Sequence, residues 1–400
     1  MSRRTPSVCK ALAVALVACV ALGGIASDAQ ARSKKNKAER QAKKDTTVDL
    51  LQLTWPEAPE TPRIRALQTY STEKHLGRTP TRREQFLKWF AGAAPPRSHI
   101  YQPMDIVVSD DGKRFFVSDF GQLAVFAFDT EQQALTQIGR NRPLNRPFGL
   151  ALDADENLYI SEQGARRITV LDRDFKPLRR IEHPDLVRPA DLAIDRDRGL
   201  LYVADPAMKA SEDHSVKVFD LEGNLLRRVG NGKGSCEGCL LFPTYVEVDN
   251  GGNVYVTSTL LSRIDKFDSD GNHVRQFGER GTSYGMFDKP KGVAIDSFGN
   301  VYVVDSGWSN VQIFNQDGKV LLFFGARGLH PGLLKNPTGI AIDGSNRIYV
   351  ADYLNYRVST YQLVNTTAED SQLVAETEAP GTDDSGAADE PIDSFWEEDE

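Results

Sequence analysis

Cys236-Glu-Gly-Cys239 is the first constellation in this chain that could do chemistry. Two thiols so spaced can hold a metal, carry haem, cycle as a dithiol or close a loop. Covalent haem would need His after the second thiol, and Leu240 stands there. Cys9 and Cys19 lie in an apolar N-terminal stretch that reads as an export signal, so a processed chain keeps too few thiols for a four-thiolate zinc site. No Lys, Arg or His flanks the pair closer than Lys233 to stabilise a thiolate. In an oxidising compartment Cys236 and Cys239 are therefore expected to form a local disulfide.

The histidines (His75, His99, His183, His214, His273 and His330) show no ligand spacing. The acids follow a different rule, because they recur. Asp153, Asp195, Asp249, Asp296 and Asp343 each stand six residues after a proline, with Ser109 in the first copy. Asp119, Glu162, Asp205, Asp305 and Asp352 each close a later apolar run, with Ser258 as the exception. A catalytic group is needed once, whereas a turn-closing carboxylate is needed in every repeat. These acids are expected to be structural. The chain has no nucleophile elbow, P-loop or dinucleotide fingerprint, and no cofactor is expected.

The elements that must position these residues are repeated units. Pro337-Thr-Gly-Ile-Ala-Ile-Asp343 is followed by Arg347-Ile-Tyr-Val-Ala-Asp352 and by Asn355-Tyr-Arg357-Val. Copies begin at Pro103, Pro147, Pro189, Pro243 and Pro290, spaced 44, 42, 54, 47 and 47 residues apart through Pro337. Each copy holds short β-branched or aromatic runs separated by Asp/Asn/Gly turns, which read as strands and hairpins. The runs are apolar at nearly every position, as strands buried on both faces require. Periods of this length with several strands each mark a β-propeller. The expected fold class is all-β, a six-bladed β-propeller over 101–364. The last copy lacks a fourth strand, and Thr61-Pro-Arg-Ile-Arg-Ala-Leu-Gln-Thr-Tyr70 is expected to supply it, because an open ring would leave an unpaired edge.

The Pro-x-Gly-(Ile/Val)-Ala-(Ile/Leu)-Asp and Asn-x-(Val/Leu/Ile)-Tyr-(Val/Ile) segments resemble the NHL-repeat family of six-bladed propellers, over roughly Pro103 to Leu363. Two departures stand out: the insertion Pro206–His214 in the third blade, and Tyr245 in place of glycine in the fourth. The resemblance implies a binding scaffold. It also leaves open an alternative, a metal-dependent lyase or lactonase, because propellers of related shape hold a metal over the channel with side chains from scattered blades; the metal ligands, if any, are unknown. Trp55-Pro-Glu-Ala-Pro-Glu-Thr-Pro-Arg-Ile64 is similar to a stretch that precedes the ring in bacterial NHL proteins accompanying multihaem cytochromes. That likeness implies a protein partner in a cell-envelope or electron-transfer assembly.

The flanks are read as follows. Residues 1–31 form a signal peptide, with Arg3 and Arg4, an apolar core and Asp28-Ala-Gln-Ala31 as cleavage site. Leu16-Val-Ala-Cys19 also reads as a lipobox, which would acylate Cys19. Either way the protein is expected to be exported, to the periplasm or cell envelope. Residues 32–54 are a basic disordered tether, with seven basic residues against one acid in Arg32–Lys44. Residues 55–100 hold the closing strand and a helix opened by Thr81 and Glu84 as a capping box, with Phe86, Leu87, Trp89 and Phe90 apolar. Residues 365–400 are an acidic disordered tail with thirteen carboxylates and no Lys or Arg. Setting that tail aside turns the formal charge of −8 into +5. Residues 45–364 alone are slightly negative, which argues against nucleic acid as a partner. Membrane contact would come only through Cys19 or the Phe86–Phe90 helix. Aromatics and arginine dominate binding hot spots, so Trp308, Tyr353, Tyr356, Arg263, Arg166 and His214 are the expected contacts for a protein partner.

Overall fold

Strands of five or six residues, bounded by turns, fold here into six antiparallel sheets arranged as blades. The computed structural model describes residues 53–77, 82, 86, 98–207 and 211–367. Blades 1 to 5 contain four strands each: Pro103–Ile138, Pro147–Glu182, Leu192–Val229, Pro243–Phe277 and Pro290–Phe324. Blade 6 has three strands of its own, within Pro337–Leu363. Its outer position is occupied by Ile64–Tyr70, which pairs antiparallel with Arg357–Leu363 from Ile64↔Leu363 to Tyr70↔Val358. Thr54–Trp55 adds a short edge beyond it.

Apolar faces of neighbouring blades meet in shared clusters. One joins Phe115, Val117 and Phe128 of blade 1 to Tyr349, Ala351 and Val358 of blade 6. Another joins Tyr302, Val304 and Phe324 of blade 5 to Ile348, Val350 and Tyr361 of blade 6. The Ile64–Tyr70 strand belongs to both, through Tyr70 in the first and through Ile64 and Ala66 in the second. Each strand therefore needs apolar residues on both faces, which explains the non-alternating runs.

Inner strands run along a central channel. They start at one face of the ring, the proline rim, which also carries the turns after each second strand. They end at the other face, the aspartate rim. Of the helix expected after Thr81, only Arg82 and Phe86 fall within the described residues, both in helical backbone. The expected signal peptide and acidic segment from Glu369, and nearly all of the tether, lie outside them. Among the described residues no helix is long and apolar enough to cross a membrane.

Candidate functional site

The recurrent acids are consumed by the fold. At the aspartate rim Asp153 Oδ1 accepts from the amides of Asp155 and Asn157 at 3.0 and 2.8 Å. Asp296 and Asp343 make the same Asx turns. In blades 4 to 6 a buried tyrosine hydroxyl also donates to the turn acid: Tyr255 to Asp249 at 3.3 Å, Tyr302 to Asp296 at 3.0 Å and Tyr349 to Asp343 at 3.2 Å. Blade 1 lacks both partners, with Ser109 and Phe116 at these positions. The second series holds down the loops leading into each blade. Asp119 accepts from Tyr101 and Gln102, Asp205 from Val187 and Arg188, and Asp305 from Asp288 and Lys289.

The channel contains titratable groups that the repeat pattern conceals. Two residues after the proline, the blades carry Asp105, Gly149, Asp191, Tyr245, Gly292 and Gly339 in order. The glycines reflect close approach: a Cβ on Gly339 would lie 2.6 Å from the Asp105 Cα, and one on Gly149 would lie 2.5 Å from the Ala190 carbonyl oxygen. Asp105 and Asp191 are buried and within hydrogen-bonding reach of each other. Asp105 accepts from the Leu150 amide of blade 2 at 2.8 Å, and Asp191 from the Val246 amide of blade 4 at 3.0 Å. The pair thus stitches blade 1 to blade 2 and blade 3 to blade 4. Burial pushes the Asp105 carboxyl up to about 7. Burial, and then the negative charge of Asp105, push Asp191 well above the usual carboxylate range. Tyr245, whose hydroxyl donates to the Met104 carbonyl at 3.4 Å, is pushed up by burial and by both aspartates.

Beyond this floor lies a cavity of about 920 Å³ with mostly aliphatic walls. Glu247 interrupts them where the other blades have Val107, Ala151, Ala193, Ala294 and Ala341. The narrow channel keeps bulk water from Glu247, and this burial pushes its carboxyl up to about 7. The floor can exchange protons near neutrality. Among the described residues no three His, Cys, Asp or Glu groups converge as a metal site. Sequence reasoning singled out neither Asp105 nor Asp191 nor Glu247. The available signal was departure from the repeat at the third and fifth positions of the phrase.

The proline rim carries the exposed apolar side chains. Tyr101, Leu123, Leu260, Tyr284, Trp308, Leu329, Leu354 and Tyr356 all lie on its loops. The other exposed large apolar residues of the ring (Leu178, Leu226, Val274 and Phe323) sit on outer strands, and none lies on an aspartate-rim turn. From blade 5 to blade 1 the loops join into a belt. Trp308 Nε1 donates to the Gly281 carbonyl at 3.3 Å, Arg327 to Gly307 at 2.8 Å and Asn355 to Gly328 at 2.9 Å. Tyr356 stacks on Tyr101 at 5.4 Å between ring centroids. Of the six predicted contact residues, Trp308, Tyr356 and Arg166 are exposed and Tyr353 is half-buried, all on this rim. Two are placed differently. His214 is buried, its Nδ1 accepting from the Phe242 amide at 3.0 Å. Arg263 is buried beside Asp265 and donates to the carbonyls of Ser235, Cys236 and Cys239. Neither presents its side chain to a partner, because the start of a third strand faces the preceding interblade loop.

Cys236 and Cys239 are paired as a disulfide, with Cα atoms 5.0 Å apart. Two other interblade loops have the same build without sulfur. The Cys239 amide donates to Cys236 at 3.0 Å, Met286 to Ser283 at 3.1 Å and Leu333 to His330 at 3.0 Å. Arg357 clamps the last of these through the carbonyls of Leu329, His330 and Leu333, as Arg263 clamps the first. The disulfide therefore reinforces a turn that the fold already makes.

Comparisons with known proteins agree with this architecture. Residues 186–219 match the NHL repeat model, and residues 274–315 match the beta-propeller repeat model. Protein brain tumor of Drosophila melanogaster is 24% identical over 137 residues, which are 33% of this chain and 12% of that protein. The match spans a small part of that relative's length. A protein of unknown function from Bacteroides thetaiotaomicron superposes with a TM-score of 0.52 at 16% identity, covering 66% of this chain and 70% of that one. A putative gluconolactonase also gives 0.52, at 14% identity, covering 66% of this chain and 89% of that one. These structural likenesses speak for the fold alone.

Proposed function

Taking the chain as a six-bladed β-propeller with NHL repeats, we propose that it is a protein-binding scaffold that docks its partner on the proline rim. One observation carries this reading: the contiguous belt from Tyr284 through Trp308, Leu329, Leu354 and Tyr356 to Tyr101 is exposed, while the opposite rim exposes no large apolar side chain among the described residues. Exposed apolar surface of this extent marks an interaction site. Aromatic anchors on hydrogen-bonded loops lose little entropy on binding. Relatives bearing NHL repeats include protein brain tumor, but no partner carries over from it.

We further propose that the protein works outside the cytoplasm, in a cell-envelope assembly. Its N-terminal signal-like sequence and Trp55–Ile64 stretch support this. Intact mass of the mature protein tests export: a chain beginning at Arg32, or an acylated Cys19, is expected, and an uncleaved Met1 chain contradicts it. The binding reading is tested by capture from envelope extract, with wild type compared to the Trp308→Ala, Tyr356→Ala double variant. A partner enriched by wild type and lost in the variant is expected; equal capture would overturn the assignment. A stoichiometric metal in the purified protein would turn attention to the lyase or lactonase alternative.

A further inference from the structure

The blade-5 sector of the proline rim combines the aromatic belt with positive charge. Lys289, Arg280 and Arg327 are exposed around Trp308, with Glu279 and Asp288 the nearby acids. Lys289 reaches Asp288 at only 3.9 Å, and both remain largely open to solvent. Lys291, one residue after Pro290, is half-buried at the same rim. Among the described residues no acid stands against it, and Lys289 repels it. Across the whole rim, Arg140, Arg142, Arg146, Arg166, Arg188 and Lys335 add to the same sign, while the aspartate rim carries acids in nearly every turn.

Residues 389–400 are the complement of this surface. Asp389-Glu-Pro-Ile-Asp-Ser-Phe-Trp-Glu-Glu-Asp-Glu400 joins carboxylates to Ile392, Phe395 and Trp396 and has no basic residue. The final strand delivers the chain to the aspartate rim at Leu363, where Val364 is bonded to Arg63 and Asn365 to Pro62. Like charge there disfavours docking beside the exit. The 28 residues from Thr367 to Phe395 span about 30 Å as a flexible coil and up to about 95 Å extended. Crossing the ring over strands of five or six residues requires roughly 20 Å. The basic tether could neutralise these carboxylates, but it offers no apolar surface for Phe395 and Trp396.

We propose that the Ile392–Glu400 segment of this same chain docks in cis on the blade-5 sector of the proline rim. Phe395 and Trp396 lie against Trp308 and Leu329, and the terminal carboxylates lie at Lys289, Lys291 and Arg327. The inference rests on the proline rim being the binding face, and it gives that face an intramolecular competitor: an external partner must displace the tail. Acidic segments bearing an aromatic pair are thereby the partner class the rim selects.

The test is zero-length carbodiimide cross-linking of the full-length protein, read by mass spectrometry, with isotopically mixed chains to separate cis from trans. Cross-links from Glu397–Glu400 to Lys289 or Lys291 within one chain are expected. They should be lost at high salt and in a Phe395→Ala, Trp396→Ala variant, which leaves the ring untouched. Cross-links directed instead to Lys113, Lys176 and Lys319 of the aspartate rim, or to Lys34–Lys44, would overturn the proposal. So would predominantly mixed-isotope products. Failure here, with partner capture still lost in the Trp308→Ala, Tyr356→Ala variant, removes the tail from the account and leaves the binding face standing.

Discussion

The two rims are built from the same six repeats yet have opposite characters. At the aspartate rim nearly every turn repeats one solution: a carboxylate bonded to amides two and four residues on, with a tyrosine hydroxyl beneath it in blades 4 to 6. At the proline rim the lead-in loops differ in length, and the second turns read Gln163–Arg166, Ser306–Ser309 and Tyr353–Tyr356. Polar turns that repeat are turns under structural constraint. Loops that diverge on a shared frame are free to carry recognition. The comparison separates residues that close the ring from residues that meet a partner, and each class can be broken separately.

The largest effect is expected from deleting residues 55–72. This removes Ile64, Ala66 and Tyr70 from two interblade clusters and exposes the edge of blade 6. Thermal melting followed by circular dichroism should show the whole ring destabilised by more than about 4 kcal/mol, the scale of losing several buried side chains. Unchanged melting would contradict closure by this strand.

Next in size is Arg357→Ala, which frees three carbonyls and leaves buried Asp352 without its cation. A loss of roughly 3–5 kcal/mol is expected from denaturant titration. Asp296→Ala at the aspartate rim, which loses the turn amides and the Tyr302 bond, should cost about 1–3 kcal/mol. It should leave partner capture intact.

The channel floor predicts a smaller, pH-dependent effect. Asp105 and Asp191 are raised above their unfolded value, so the stability that protonation contributes is fully present below the unfolded pKa of 3.8. It is lost as pH rises through about 7 for Asp105. The melting temperature should therefore fall between about pH 4 and 7, and Asp105→Asn should flatten that slope, by at most about 4 kcal/mol at pH 8. An equally steep slope in the variant would show that the pair does not carry it.

Much of the fold was legible because six weak copies reinforce one another: Pro, Asp and Tyr recur at fixed offsets and each has one structural task. The site was less legible for the same reason. Asp105 and Asp191 stand where other blades have glycine, and a consensus reading passes over the positions that break it. Arg263 and His214 have the residue types of contact sites, but type does not give direction; both turn inward to hold loops. Trp308 and Tyr356 could be placed because a short turn after a second strand leaves few ways to bury a large ring.

The smallest stability change and the sharpest functional one are expected at the same residues. Trp308→Ala with Tyr356→Ala should shift stability by less than about 1 kcal/mol, since both side chains are largely exposed. The most direct measurement is partner capture by this double variant beside an aspartate-rim variant, Asp110→Lys with Asp270→Lys. Loss of the partner in the first and retention in the second is the predicted result. Retention in the first with loss in the second would place recognition on the repeated rim and contradict the account.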